Sequence, residues 1–363
     1  MEGSFSDLER ARKVYNRVVA RTLSHGTTTA AYYATIHVPA TNLLADICLE
    51  KGQRAFVGRV CMNQNAPDYY LDGSIENVVS KTKACIEHVK MIDPEHSLIT
   101  PIITPRFAPS CTMDCLSALG KLHAETGLPA QTHVSENKSE IAWVKELFPN
   151  TTNYVNVYEQ SGLLTSKMIL AHAVHLSPEE TAAIKRTDAK ISHCPSSNTA
   201  ITSGTAKVRQ MLDQGITVGL GTDVSGGFSP SILEMARHAV WVSRHVAMDN
   251  NDVAKLSNEE VLYLATRGGA KVVGLEDKIG GFEVGMEWDA QMICLDRVED
   301  EDEVDEWRRT RVGELEDKGP VDVFGWESWA DRVDKWLFGG DDRNTAAVWV
   351  KGRLVHSTVR YRP

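Results

Sequence analysis

Four short runs carry side chains able to do acid–base or metal chemistry, and each closes a segment that reads as a β-strand. They are Arg106 in TPRF, His133 and Glu136 in THVSE, His172 in LAHA and Asp223 in GTDVSGG. Imidazole nitrogen and carboxylate oxygen are donors that a divalent ion such as zinc accepts, and zinc lowers the pKa of its water to about 7. A carboxylate that does not bind the ion can then carry the proton. On this reading His133 and Asp223 are metal ligands, Glu136 is the proton shuttle, and His172 holds the attacking water or the leaving group. Each also has a structural reading when taken singly. A lone strand-end histidine is commonly a satisfied core group, and an aspartate in a turn is commonly a helix cap. Their shared position at strand ends favours the joint reading.

The elements that must position them alternate along the chain. Strand-like runs fall at 27–37, 54–62, 98–107, 128–136, 167–174, 188–194 and 216–223. Helical runs lie between most of them, including 75–89 and 117–126. A helix over 7–25 comes first, with Ser6 as its expected N-cap and Gly26 as its stop. Such alternation predicts an α/β fold with a parallel sheet covered by helices. In an α/β barrel the C-terminal strand ends face the active site, which is where the four runs fall. Residues 230–247 and 257–274 read as further helices, and 281–296 and 346–359 as strands of a small accessory β-domain. The division is therefore expected near 275, with a barrel over 1–275 and the accessory piece over 276–363. The run VEDEDEVDEW, 298–307, reads as a solvated loop.

Bulk composition narrows the function. The 363 residues are 42% hydrophobic and 24% charged, with 39 basic against 49 acidic side chains and a net charge of −10. That balance argues against a nucleic-acid or anionic-membrane partner. No apolar run approaches the roughly 20 residues that span a bilayer, and the N-terminus has no signal-peptide pattern. Seven scattered cysteines without a C-x-x-C suit reduced, buried thiols in the cytoplasm. His123-Ala-Glu125 is an H-x-E but sits in a helical run with no P-C-x-x-C after it, so the cytidine-deaminase type of zinc site is not indicated. His193 in HCPSSN reads as structural or loop-ordering, and Cys194 as packed rather than nucleophilic.

With these residues in view, the sequence resembles the guanine deaminases of the amidohydrolase superfamily. The resemblance rests on HGTTTAAYYATIH, GQRAFVGRVCM, TPRF, THVSEN, AHAVHLS, HCPSSN, GLGTDVSGG, FEVGMEWDA and GDDRN, in order over nearly the whole chain. It implies a TIM-type (β/α)8 barrel and a zinc-dependent hydrolase of purine catabolism. Guanine would be converted to xanthine and ammonia by a metal-activated hydroxide. Carried over, His133 and Asp223 are metal ligands, His133 also touching substrate and Asp223 also catalytic, Glu136 is the general acid/base and touches substrate, and His172 is a further catalytic histidine. Arg106 and Phe107 match the purine-contacting pair, which agrees with a guanidinium reaching O6 and N7 while an aromatic ring stacks. A cytoplasmic homodimer is implied as well.

One part of the family pattern is missing. Its first strand ends in an H-x-H metal pair, and the 12 histidines here include no H-x-H. The expectation is a barrel lacking its first strand, N-terminally truncated, with two of its ligands upstream of Met1. Iron or manganese could sit on the same donors. Two further readings remain: a related amidohydrolase acting on another purine or a triazine, and an inactive chain that at most binds or oligomerises.

Overall fold

The first helix, α1 (Leu8–Ser24), forms in a computed structural model that describes residues 2–249, 252–297 and 320–358. Its cap is Asp7 rather than Ser6. The Asp7 carboxylate accepts from the amides of Glu9 and Arg10 at 3.0 and 3.2 Å. Ser6 instead closes a preceding 3-10 turn, Glu2–Ser6, with its hydroxyl on the Gly3 carbonyl. Gly26 ends the helix at φ 83°, a backbone geometry that glycine adopts without a Cβ penalty.

The seven expected strand runs all contain strands. They are β1 (Thr29–Tyr33), β2 (Arg54–Gly58), β3 (Val60–Cys61), β4 (Ile99–Pro101), β5 (Thr104–Pro105), β6 (Ala130–Val134), β7 (Met168–His172), β8 (Lys190–His193) and β9 (Val218–Leu220). All pair in parallel: β1 with β2, β2 with β4, β3 with β5, and β6 through β9 in order. Single bridges from Ile103 to Ala130 and from Phe107 to His133 join the two groups. The sheet order therefore follows the chain order, as in a TIM-type α/β fold. Among the described residues β1 and β9 do not pair with each other.

The run over 54–62 breaks at Arg59, and the run over 98–107 breaks between Pro101 and Thr104. Proline brings no N–H to a ladder, and Pro101 and Pro105 end the two short pieces. Arg59 breaks its strand for a different reason. Its side chain is fully buried, and Nη1 donates to both Asp72 oxygens at 2.8 and 3.0 Å and to the Ile36 carbonyl at 3.1 Å. Nη2 reaches the Val78 carbonyl at 3.2 Å. Asp72 also takes Lys81 Nζ at 3.1 Å. This buried pair fastens the 63–74 loop and helix α3 (Ile75–Ile92) to the sheet.

Between the strands run α2 (Val38–Lys51), α3, α4 (Met113–Thr126), α5 (Lys138–Leu147), α6 (Tyr154–Gln160), α7 (Pro178–Thr187), α8 (Pro195–Ala200), α9 (Val208–Asp213) and α10 (Ile232–Met248). The largest core cluster lies between helices and strands, with Leu116, Leu119, Tyr158, Met168, Leu170 and Ile191 at its centre. A smaller cluster of Phe56, Ile102, Ile169 and Val272 fills another part of the core. The helix expected over 257–274 is cut by a wide π turn, Leu264–Gly268. A Cβ on Gly268 would stand 2.6 Å from the Val218 carbonyl, so glycine is what lets this turn press on β9.

The strand expected over 281–296 is much shorter. Residues 283–286 turn, with Met286 N on the Glu283 carbonyl, and the strands are β10 (Ala290–Ile293) and β11 (Asp296–Arg297). β11 pairs with β12 (Asp322–Val323). The 346–359 run folds as a hairpin of β13 (Thr345–Val350) and β14 (Arg353–Ser357), and β10 adds antiparallel to β13. Buried Arg54 on β2 ties this tail to the sheet through Glu287 at 2.6 Å and Asp289 at 3.0 Å. The acidic run 298–307 lies outside the described residues.

Removing one partner of a buried, hydrogen-bonded pair strands the other charge. Arg59→Ala is expected to lower the unfolding free energy by about 3–5 kcal/mol in urea titrations. A loss below about 1 kcal/mol would mean that the pair does not anchor the loop.

Candidate active site

The segment after β6 shows how the sequence builds its end of the site. Asn137 caps α5 and Glu140 returns the bond, a reciprocal capping box. Glu140 Oε2 also accepts the Glu136 amide at 3.1 Å, and its Oε1 takes the Tyr154 hydroxyl at 2.6 Å. Glu136 is thus fixed by its main chain one turn from His133, with its carboxylate left free for other contacts. Tyr158 fastens the neighbouring backbone: its hydroxyl donates to the His133 carbonyl at 2.8 Å and accepts the Ala108 amide at 2.9 Å.

His133 receives its orientation from Arg106, the residue that follows β5. The Arg106 carbonyl accepts from the His133 amide at 3.3 Å and from its Nδ1 at 2.5 Å. Donation from Nδ1 leaves the lone pair on Nε2, the tautomer a metal ligand requires. His172 is treated alike, with Nδ1 2.9 Å from Asn198 Oδ1. Asp223 Oδ2 accepts the Ser197 hydroxyl at 2.6 Å. Ser197 and Asn198 both belong to α8, directly after β8, so one short helix steadies two of the functional groups.

The rings of His133 and His172 stack with centroids 5.2 Å apart, and Tyr33 from β1 tilts against His133 at 4.7 Å. Ligand atoms of His133, His172 and Asp223 all lie within 4.8 Å of one another. A tetrahedral ion with ligand bonds of about 2.0–2.2 Å holds its ligands about 3.4 Å apart, so a small closure brings these three to coordination distance. The donor set, two imidazoles and a carboxylate, suits zinc, and three protein ligands with an open fourth position is the pattern of catalytic zinc sites. The residues present therefore fit a metal ion. His172 was expected beside the ion rather than on it, and its ring proves close enough to serve as the third donor.

The electrostatics agree. Burial holds His133 well below the ordinary histidine pKa, and neighbouring His172 adds to the shift, so the imidazole is neutral and able to coordinate. Burial raises the Glu136 carboxyl, against the opposing pull of His172 and with help from Glu140 and Asp223. Its Oε1 lies 3.5 Å from His172 Nδ1. A carboxyl with a raised pKa beside a cluster able to hold a metal ion is suited to proton transfer.

Ser135, His172, Ala173 and Asp223 all have positive φ, at 47, 71, 49 and 46°. Left-handed backbone in non-glycine residues is costly and collects at functional sites. Here it turns the chain sharply at the ends of β6, β7 and β9, and the amides of Ala173, Val174 and His175 bind back to Val134 and Ser135. A Cβ on Gly226 would meet Asp223 Oδ2 at 2.5 Å, so the SGG sequence leaves room for that carboxylate.

Arg106 and Phe107 lie at the same end. Phe107 pairs in register with His133, and its ring meets Trp143 edge-on at 6.2 Å. The expected residues are therefore brought to one end of the sheet. Sequence reasoning missed Ser197, Asn198 and Tyr158. Polar residues four and five places after a strand that ends on His193 were the available signal for the first two. His193 is buried with neither ring nitrogen bonded among the described residues, and burial keeps it neutral with a pKa of about 3. Cys194 is buried, which raises its thiol pKa and makes it a poor nucleophile.

Comparison with known proteins gives the family of the chain. The model of the amidohydrolase family matches residues 3–355. The chain is 48% identical to a probable guanine deaminase of Schizosaccharomyces pombe over 98% of its own length, and spans 64% of that protein. It is 42% identical to a guanine deaminase of Dictyostelium discoideum, of which it spans 74%. Its structure matches that of a guanine deaminase from C. acetobutylicum with guanine bound in the active site. That match has TM-score 0.84 and 32% identity, and covers 98% of this chain and 78% of the other. A family match that takes in all of the strand ends described above leaves one assignment: the chain belongs to the amidohydrolase family.

Proposed function

We propose that the chain is a guanine deaminase that hydrolyses guanine to xanthine and ammonia. The observation that carries this reading is the bond that His133 Nδ1 donates to the Arg106 carbonyl. The residue whose guanidinium would read the purine edge also sets, through its own carbonyl, the tautomer of a metal-binding histidine. Recognition and chemistry thereby share one rigid piece of backbone. The relatives named above, one of them solved with guanine in its active site, support the choice of substrate.

His133, His172 and Asp223 would hold the metal, with zinc favoured by the donor set. Bound there, the ion supplies Lewis-acid activation of water and of the purine ring. The chain's own residues do the remainder. Arg106 donates to O6 and N7 of guanine, and Phe107 lies against the ring. Glu136 takes one proton from the attacking water and delivers it to N3, then takes the remaining proton from the new C2 hydroxyl and delivers it to the 2-amino group. The C2–O bond forms, the C2–N bond breaks and ammonia leaves. The seven free cysteines, six of them buried, support a reducing, cytoplasmic setting. No described helix is long and apolar enough to cross a membrane.

A second reading, a chain that binds purine without turning it over, is favoured by one observation. The sequence contains no H-x-H, and among the described residues the cluster offers three donors where the family pattern offers more. Zinc analysis beside a xanthine assay on one preparation separates the two. The expected result is about one zinc per chain with xanthine release; stoichiometric zinc without xanthine would leave only the binding reading.

Glu136→Gln is expected to keep the zinc and to lower kcat by roughly 10²–10⁴-fold, the usual worth of a positioned acid–base group. If the variant lost zinc together with activity, Glu136 would be a ligand and its assignment as proton carrier would fail.

A further inference from the structure

Arg106 does not stand free. The Glu2 carboxylate grips its guanidinium end-on, Oε2 to Nη1 at 2.7 Å and Oε1 to Nη2 at 3.1 Å. Glu2 is itself held: the Tyr70 hydroxyl donates to Oε2 at 2.9 Å, and the next carbonyl, that of Gly3, meets His37 Nε2 at 3.2 Å. Tyr70 is buried, and its hydroxyl also takes the Ile36 amide at 3.4 Å. The carboxylate therefore sits on a braced post built from the loops after β1 and β3.

A guanidinium carries five N–H donors in a planar fork with more than one usable edge. Glu2 fills the edge formed by Nη1 and Nη2. Among the described residues Nε makes no hydrogen bond, so Nε–H and the second Nη2–H form a free edge with two parallel donors. That is the geometry that reads a purine oxygen and N7 together. The ion pair is 34% exposed on the arginine and 44% on the glutamate, and pairs so exposed contribute little to stability. Its effect is orientation: a long, flexible side chain is fixed before the ligand arrives, so less rotamer freedom is lost on binding.

We infer that Glu2 is a positioning residue for purine recognition, holding Arg106 so that its free edge selects a 6-oxo purine. The inference rests on the assignment of Arg106 to the purine edge, and a single experiment can test the two separately. Hypoxanthine and purine both lack the 2-amino group, so neither is deaminated at C2, and hypoxanthine carries the 6-oxo group that purine lacks. Equilibrium dissociation constants for both ligands are measured on the full chain, on Glu2→Ala, on Arg106→Ala and on the double variant, with thermal melts alongside.

The expected result is that Glu2→Ala loses roughly tenfold of its preference for hypoxanthine over purine, with little change in melting temperature. The double variant should then be no worse than Arg106→Ala alone, because Glu2 acts only through Arg106. If Glu2→Ala keeps the preference while Arg106→Ala loses it, the positioning role is wrong and the purine-edge assignment survives. If Glu2→Ala binds hypoxanthine more tightly, the glutamate is a competitor for the arginine and the inference is overturned. If Arg106→Ala keeps the preference, the purine-edge assignment itself fails and takes this inference with it.

Discussion

The bond from His133 Nδ1 to the Arg106 carbonyl is the contact on which the rest of the site depends. A histidine can bind a metal only through the nitrogen that lacks a proton, and this bond decides which one that is. It also crosses from one parallel strand to the next, fixing the end of β6 against the residue that follows β5. Tyr158 reinforces the same junction from α6 by bonding the His133 carbonyl and the Ala108 amide. Parallel pairing is needed for this to work, because it puts the C-terminal ends of neighbouring strands at the same level.

Each of the other two candidate ligands has its own support, and both supports come from α8. Ser197 bonds Asp223 and Asn198 bonds His172. Partners of this kind orient ligands and tune their basicity, and losing one typically costs 10–100-fold in metal affinity or activity. The left-handed turns at His172 and Asp223 have a physical counterpart in these bonds. Costly backbone persists only where surrounding contacts determine it, and here α8 ties together the ends of β7 and β9 on either side of it.

Much of this was legible in the sequence because strand ends are local features. A run of β-branched and aromatic residues stopping on Arg, His or Asp marks both the strand and the functional position, and this signal points to Arg106, His133, His172 and Asp223. Local patterns failed where competition between neighbours decided the outcome. Ser6 and Asp7 are both good caps, and the choice fell to Asp7 because Ser6 closes its own turn. FEVGMEWD alternates like a strand, yet its chain turns at 283–286 and pairing begins only at Ala290. Contacts between distant positions left no periodic trace at all. Glu2 and Arg106 are 104 positions apart, and nothing in either neighbourhood points to the other. The approach of His172 to His133 and Asp223 is of the same kind, since it joins side chains from three different strand ends.

The central claim is that one metal ion is held by His133, His172 and Asp223. X-ray absorption at the zinc edge tests it without relying on turnover. The zinc-loaded chain is predicted to give two imidazole nitrogens at about 2.0–2.1 Å and a carboxylate oxygen at about 2.0–2.2 Å. His172→Ala should remove one of the two imidazoles from the spectrum. A spectrum that shows the same number of imidazoles with and without His172 would contradict the account.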